Sequence, residues 1–174
     1  MTALSPQQRS PQQRVAPWRR PRTLDVVGLV ARLLLGGVML VAGALKVTRP
    51  EVSARAVQAY QLLPFDLATY VGYGLPVLEV IIGALLVAGL FTRVAAVVSG
   101  VLLVAFIIGI ASAWARGLSI DCGCFGEGGA IASSETRYLE EILRDVGLLL
   151  CAAWLAIRPH TAYSLERTLF TDGR

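Results

Sequence analysis

The chain has 174 residues, 55% of them hydrophobic, and its mean hydropathy is +0.63. Soluble globular domains are about 45–50% apolar and lack long uncharged segments, so this composition excludes an ordinary soluble protein and indicates a membrane protein. The net charge is +4, but the basic residues flank apolar segments, which argues against a nucleic-acid partner. The sequence has no phosphate-binding glycine loop and no Ser-His-Asp set, which disfavours nucleotide-driven and hydrolytic functions.

Residues 1–24 form a polar segment in which SPQQR occurs twice in tandem, at Ser5–Arg9 and Ser10–Arg14. Its content of proline, glutamine and arginine predicts a disordered tail. The apolar segment that follows is 20 residues long, whereas the apolar core of a signal peptide has about 7–15 residues. We therefore interpret this segment as a membrane helix and not as a cleaved leader.

Long apolar segments follow one another along the chain, and about 20 apolar residues cross a bilayer as a helix. Three of them are Val26–Leu45, Leu67–Leu90 and Val94–Ala115. A fourth, Tyr138–Ile157, becomes continuously apolar only after Arg144 and Asp145. We predict that it also crosses the membrane, with the bundle sheltering its charges; the alternative is a helix lying on the membrane surface. The predicted fold is all-α, an integral membrane four-helix bundle over residues 25–157, followed by a polar tail over residues 158–174.

Basic residues predict the orientation, because short loops rich in lysine and arginine stay in the cytoplasm. Nine of them lie in the two tails and in the loop between the second and third apolar segments, whereas the other two loops carry four arginines. This bias predicts a multi-pass protein of the bacterial cytoplasmic membrane with both termini in the cytoplasm. The loop that contains Cys122 and Cys124 then faces the oxidising exterior.

The first outer loop has the pattern of a short helix. Its TRPE motif, Thr48–Glu51, has the form of a capping box with Thr48 as the cap. Apolar or aromatic residues then recur at helical spacing, at Val52, Ala56, Ala59, Tyr60 and Leu63. We predict a short amphipathic helix on the outer face that ends at Pro64.

Charged residues inside apolar segments normally face a partner or a cavity. With a rise of 1.5 Å per residue, Arg32 lies about 10 Å from the inner end of its helix and Glu79 about 16 Å from the inner end of its own. We predict an intramembrane Arg32–Glu79 pair, direct or through water, that acts as a lock for the bundle or as a proton or ligand site. Lys46, Arg144 and Asp145 form a second group near the outer end, just beneath the cysteine loop.

Cys122 and Cys124 lie one residue apart in the glycine-rich stretch SIDCGCFGEGG. One interpretation is a redox pair: the small ring is strained, strained disulfides exchange readily, and nearby cations stabilise the attacking thiolate. A second is half of a tetrahedral metal site, and a third is a static bridge that stabilises only weakly. Cys151 lies deep in the fourth segment, where we expect it to act as a small apolar residue.

Several stretches together resemble the MauE/DoxX group of bacterial membrane proteins over residues 25–157. They are ARLLLGGVMLVAGALKVTRP (Ala31–Pro50), YQLLP (Tyr60–Pro64), LPVLEVIIGALLVAGLFTRVAA (Leu75–Ala96), DCGCFG (Asp121–Gly126) and RD (Arg144–Asp145). The CGCFG loop points to the MauE side, the methylamine-utilisation membrane proteins. The resemblance implies a role in disulfide formation or electron delivery during maturation of an exported enzyme, methylamine dehydrogenase in the namesake family.

On the family pattern, Cys122 and Cys124 would be the redox pair, with Lys46, Glu79 and the Arg144–Asp145 dipeptide at matching positions. The favoured hypothesis is a thiol–disulfide oxidoreductase that exchanges electrons with an exported thioredoxin-like or disulfide-containing client. Analogy with other four-helix thiol oxidoreductases suggests a quinone as the other redox partner. The alternatives are a non-catalytic membrane scaffold subunit of an oxidoreductase complex and a carrier for a soft metal ion.

Overall fold

The computed structural model describes residues 22–121, 129–130 and 136–158. This part of the chain is all-helical apart from one minimal antiparallel ribbon. The helices are α1 (Arg22–Val47), α2 (Pro50–Ala59), α3 (Phe65–Ala88), α4 (Thr92–Ala115) and α5 (Tyr138–Ile157). The strands, two residues each, are β1 (Ile120–Asp121) and β2 (Gly129–Ala130). The predicted tails lie outside the described residues except at their inner ends, where α1 already begins at Arg22 and Arg158 directly follows α5.

Three of the described helices are long and apolar enough to cross a membrane. They comprise Leu24–Val47, Phe65–Ala88 and Thr92–Ala115, and each segment has 24 residues. At a rise of 1.5 Å per residue each measures about 36 Å, which exceeds the roughly 30 Å of a bilayer core. The three long spans predicted from apolar length are therefore confirmed, and the protein is a membrane protein.

The fourth predicted span, α5, does not meet the same criterion in the described chain. Its first two turns contain two glutamates followed by Arg144 and Asp145, and these charges interrupt the apolar length. The helix nevertheless packs along α4 and also contacts α1. The structure thus shows an all-α membrane protein with three apolar spans and a fifth helix beside them.

Helices α1 and α3 make the closest contact in the bundle because glycines face the partner backbone. A Cβ at Gly83 would lie 2.8 Å from the Cα of Leu40, and one at Gly43 would lie 2.8 Å from the carbonyl oxygen of Pro76. Small residues at such positions let two membrane helices approach to backbone contact. These contacts set the register between the helices, with Gly43 opposite Glu79.

The apolar core lies where α1, α3, α4 and α5 meet. Its largest members are all almost inaccessible: Leu35, Met39, Ile82, Leu86, Leu103 and Leu155. Many other large apolar side chains are exposed on the outside of the helices. Such an apolar exterior suits lipid, where association of helices depends on packing and on polar contacts rather than on the hydrophobic effect.

The short helix predicted in the first outer loop is confirmed as α2, but its cap is not the predicted one. Arg49 occupies the N-cap position without a side-chain cap hydrogen bond, and Pro50 begins the helix, a position that tolerates the missing N–H of proline. The Thr48 hydroxyl instead donates to the Leu45 carbonyl at the end of α1, at 3.1 Å. The capping-box prediction was therefore wrong, because Thr48 terminates the preceding helix.

The buried face of α2 consists of small residues that pack on α3. Ser53, Ala54 and Ala56 are buried, and a Cβ at Gly72 would lie 2.8 Å from the backbone nitrogen of Ala54. Leu63, predicted to share the apolar face, lies beyond the helix and is exposed. Helix α2 is thus amphipathic, but it contacts α3 through backbone-close packing.

Candidate functional site

Glu79 pairs with Lys46 inside the bundle. The Lys46 Nζ donates a hydrogen bond to Oε1 at 2.8 Å and lies 2.7 Å from Oε2. The two side chains are 8% and 1% exposed, so the pair is withdrawn from both water and lipid. This pairing corrects the prediction that Glu79 would pair with Arg32.

The register of α1 against α3 explains the correction. A Cβ at Gly43 would lie 2.9 Å from the Glu79 Cβ, and Lys46 follows Gly43 by three residues, on the same side of the helix. Arg32 precedes Gly43 by eleven residues, about 16 Å along the axis. Lys46 is the nearer cation, and both Glu79 oxygens already lie beside its Nζ. Arg32 is itself buried, toward the opposite end of α1.

A second buried ion pair lies on α5. Arg144 contacts a single oxygen of Asp145: Nη2 lies 2.9 Å from Oδ1, and Nε donates to the same atom at 3.0 Å. The Asp145 side chain is 2% exposed and that of Arg144 is 31% exposed. Arg144 is therefore the partly exposed member of this pair, and Asp145 is the buried member.

The two ion pairs meet at one small cavity between α1, α3, α4 and α5. Its volume is about 20 Å³, and its polar lining is Glu79, Arg144 and Asp145. The remaining lining is apolar: Val38, Met39, Ala42, Leu103, Phe106 and Leu148. Lys46 approaches the Phe106 ring, with Nζ 6.0 Å from the ring centroid, at the outer limit of a cation–π contact. We call Lys46, Glu79, Arg144 and Asp145 the charge cluster.

The charge cluster contains two cations and two anions, so its formal charge is zero. Buried ion pairs cost desolvation free energy that their attraction only partly offsets, whereas removal of one partner leaves an uncompensated charge. The cluster also joins the three helices that carry it, α1, α3 and α5. Of the residues predicted as supporting, the structure thus brings Lys46, Arg144 and Asp145 together with Glu79, and leaves Arg32 outside the group.

Two short paired strands, which we call the stem, flank the segment that contains the cysteine pair. Strand β1 pairs antiparallel with β2, with Ile120 opposite Ala130 and Asp121 opposite Gly129. This hairpin stem brackets residues 122–128, so Cys122 directly follows it. Cys122 and Cys124 themselves lie outside the described residues.

Tyr138, the first residue of α5, anchors the stem. Its hydroxyl accepts a hydrogen bond from the buried Ile120 amide at 2.9 Å and donates to the Leu118 carbonyl. Its ring lies 6.2 Å from that of Trp114, between centroids, and only 7% of the residue is exposed. Sequence reasoning missed this tie; the only signal was a tyrosine at the start of a helix, since a buried tyrosine hydroxyl usually finds a partner.

Helix α2 and the end of α4 form the floor beside the stem. The Arg116 guanidinium donates to the Tyr60 carbonyl and to the Ser112 carbonyl, the latter at 3.1 Å. The Tyr60 ring packs over Gly109, and α2 lies against β2. Arg116 thus joins the end of α4 to the end of α2.

Cys151 is a free thiol on α5, half-buried against the apolar core. It lies thirteen residues beyond Tyr138, about 20 Å along the helix from the anchored end. It is therefore remote from the stem. Among the residues described, no three of histidine, cysteine, aspartate and glutamate come together as a metal-ligand group.

The family comparison agrees with this arrangement. No curated protein and no solved structure matches the chain. A family model described as "Methylamine utilisation protein MauE" matches residues 24–158, which is more than half of the chain. The match includes α2 to α5, all of α1 except its first two residues, the charge cluster and the segment with both loop cysteines. The chain therefore belongs to the MauE family of methylamine utilisation membrane proteins.

Proposed function

We propose that this protein is a membrane thiol–disulfide protein that supports disulfide formation or electron delivery during maturation of an exported protein. Cys122 and Cys124 are its redox pair. The observation that carries the proposal is the anchored stem, because its paired strands and the Tyr138 tie stop one residue before Cys122. In the namesake family the client is methylamine dehydrogenase, and an exported thioredoxin-like protein is the other client class.

A fixed stem suits thiol–disulfide exchange. Exchange requires a thiolate to approach a disulfide sulfur and passes through a mixed disulfide. Antiparallel pairing at the stem holds both ends of residues 122–128 together, so the two cysteines belong to one short loop. Helix α2 supports the same stem from β2. The stem and α2 thus form a fixed base directly before the segment that contains both cysteines.

The electron balance of the proposed cycle is simple. A client dithiol reduces the Cys122–Cys124 disulfide and leaves as a disulfide, so two electrons and two protons move to the loop cysteines. A quinone, the proposed acceptor class, then takes two electrons and two protons and becomes a quinol, and the loop disulfide re-forms. Electron delivery to a client is the reverse sequence.

The proposed topology places this chemistry on the outside of a bacterial cytoplasmic membrane. With α1, α3 and α4 as spans and α5 as a fourth, both termini lie in the cytoplasm. The arginine distribution supports this orientation. Sheltering of Asp145 by the other helices supports the assignment of α5 as a span despite its charges.

A glutathione redox titration of the purified protein in lipid nanodiscs tests the proposal. Free thiols are counted by mass-tagging, with Cys122→Ser and Cys124→Ser as test variants and Cys151→Ser as the matched control. We expect a two-thiol transition well above about −300 mV, the upper range of structural disulfides. Either loop variant should abolish the transition and Cys151→Ser should not. A pair that stays oxidised in strongly reducing buffer, or never forms a bridge, contradicts the proposal.

The double variant Cys122→Ser/Cys124→Ser separates the other two hypotheses. A scaffold subunit keeps assembling its oxidoreductase partner without the thiols, whereas a redox protein still assembles but no longer matures its client. A soft-metal carrier loses metal uptake in the same variant. Client maturation, complex assembly and metal uptake are measured side by side in cells that carry each form.

A further inference from the structure

Asp145 has one carboxylate oxygen that no described residue satisfies. Both contacts that Arg144 makes with this carboxylate go to Oδ1. The other oxygen, Oδ2, is buried and has no hydrogen-bond donor among the residues that the structure describes. Because the side chain is only 2% exposed, neither bulk water nor a lipid headgroup can supply the donor. Buried acceptors are normally satisfied by protein or by an ordered water molecule.

The space beside this oxygen fits one small molecule. Asp145 lines the cavity of about 20 Å³ together with Glu79 and Arg144. A cavity needs about 10–15 Å³ of such volume to hold a water molecule, and the water needs polar partners. The cavity thus has room for a single water molecule.

A bare metal ion is a poor occupant of the same space. Mg²⁺ and Ca²⁺ require six or more oxygen ligands, whereas the polar lining is two carboxylates and a guanidinium. Lys46 and Arg144 already neutralise those carboxylates. An additional cation would therefore lack ligands as well as a net negative charge to attract it.

A proton is different because it needs only one oxygen. Glu79 Oε2 and Asp145 Oδ2 both lack a hydrogen-bond donor among the described residues. Glu79 Oε2, however, lies 2.7 Å from the positive Lys46 Nζ, which disfavours a proton there, whereas the Arg144 contacts to Asp145 go to Oδ1. Asp145 Oδ2 is therefore the oxygen better placed to receive the proton. Two charged side chains line the cavity with Asp145: Glu79 from α3 and Arg144 from α5. Lys46 from α1 is paired with Glu79, and Glu141, which has a buried carboxylate oxygen, lies one turn before Asp145 on the same face of α5. The two residues of α4 in the lining, Leu103 and Phe106, carry no charge. After protonation the surplus charge rests on Arg144, whose side chain is 31% exposed and so is not stranded in the interior.

We propose that the cavity is a proton-binding site, in which one buried water molecule donates a hydrogen bond to Asp145 Oδ2 and exchanges a proton with it. The water molecule passes one of its protons to Oδ2 as it takes up another from the aqueous phase, so it remains water, and the resulting carboxylic acid donates a hydrogen bond back to it. The site uses no cysteine and goes beyond the proposed thiol function. If both hold, it lies seven residues along α5 from Tyr138, about 10 Å beneath the stem where thiol oxidation releases protons.

Infrared pH-difference spectroscopy on the protein in nanodiscs tests this site. A buried carboxylic acid gives a C=O stretching band at the high-frequency end of the carboxyl region, apart from hydrated acids. We expect a titrating band of this kind in the wild type, its loss in Asp145→Asn, and its retention in Glu140→Gln. Glu140 is the matched control because it lies on the same helix and is exposed. Retention of the band in Cys122→Ser/Cys124→Ser would show that Asp145 binds a proton even if the two cysteines are not a redox pair.

A wild-type measurement covers the case in which Asp145→Asn does not fold. Dicyclohexylcarbodiimide modifies protonated carboxyl groups in apolar surroundings, and peptide mass spectrometry locates the adduct. We expect the adduct on Asp145, with a yield that falls at least tenfold as the pH is raised through the transition seen in the infrared spectra. Absence of the infrared band in the wild type, its persistence in Asp145→Asn, or an adduct on Glu140 in place of Asp145 overturns the proposal.

Discussion

Lys46 and Glu79 are each nearly inaccessible, and neither has a solvent route to compensate for loss of the other. Removal of one partner from a buried pair costs about 3–5 kcal/mol, because the remaining charge is uncompensated, whereas replacement of both partners by apolar groups can be neutral. We therefore expect the pair to fix the register of α1 against α3 while adding little net stability. The difference between removing one partner and replacing both can be measured.

We expect Lys46→Met to lower the free energy of unfolding by about 3–5 kcal/mol, because Glu79 is left charged and buried. The double variant Lys46→Met/Glu79→Leu should recover most of the loss. Unfolding by sodium dodecyl sulfate in mixed micelles measures both. The control is Glu140→Gln, which breaks the exposed Arg137–Glu140 pair and should change stability by less than about 1 kcal/mol. Equal losses in the single and double variants would contradict a coupled pair.

Tyr138 supplies a second residue-scale prediction. Tyr138→Phe keeps the ring beside Trp114 but removes the hydroxyl that the Ile120 amide and the Leu118 carbonyl both use. Loss of a buried partner costs about 1–3 kcal/mol, or roughly tenfold in an opening equilibrium for each 1.4 kcal/mol. We expect hydrogen exchange at the Ile120 amide to accelerate by about tenfold or more. Tyr73→Phe, at an exposed position on α3, serves as the control, and unchanged exchange would remove Tyr138 as the anchor.

The contact of α1 with α3 is the clearest feature at the scale of secondary-structure elements. A Cβ at Gly83 has no space beside the Leu40 backbone, whereas one at Gly74, on the same helix, meets nothing within 4 Å. We expect Gly83→Ala to destabilise the protein by about 1–3 kcal/mol through overpacking. Gly74→Ala should be neutral or slightly stabilising, because alanine is the better helix former. Unfolding in the same mixed micelles measures both variants. Equal changes in the free energy of unfolding would mean that α1 and α3 do not meet at Gly83.

Helix α5 gives the topology prediction. Single cysteines at Ser5 and Arg167, each in a cysteine-free background, are tested with a membrane-impermeant thiol reagent on intact cells. We expect both to be protected, because a fourth span returns the chain to the cytoplasm. In the wild type, reduced first, Cys122 and Cys124 should label and Cys151 should not. Labelling at Arg167 with protection at Ser5 would instead show that α5 lies on the outer surface.

For the molecule as a whole, the structural features that can be predicted from the sequence are those that depend on local residue patterns. Apolar length was sufficient for the three spans, and helical spacing was sufficient for α2. The partner of Glu79 could not be predicted, because axial positions were counted from assumed membrane boundaries, whereas the true register follows from the glycine contacts of α1 with α3. The Tyr138 tie connects groups 18 and 20 residues apart, and no local pattern encodes it. The capping-box prediction was wrong because Thr48 bonds to the end of α1, whereas Arg49 is the N-cap of α2 and Pro50 is its first residue.

Tyr138 and Asp145 are separated by seven residues, two turns of an α-helix, so they project from the same side of α5. One holds the hairpin stem and the other lines the cavity. When α5 rotates about its axis as a rigid helix, both side chains move with it. A rotation that withdrew Asp145 from the cavity would also pull the Tyr138 hydroxyl away from the stem. If the proposed proton site holds, the protonation state of Asp145 and the position of the Tyr138 hydroxyl at the stem are therefore expected to change together.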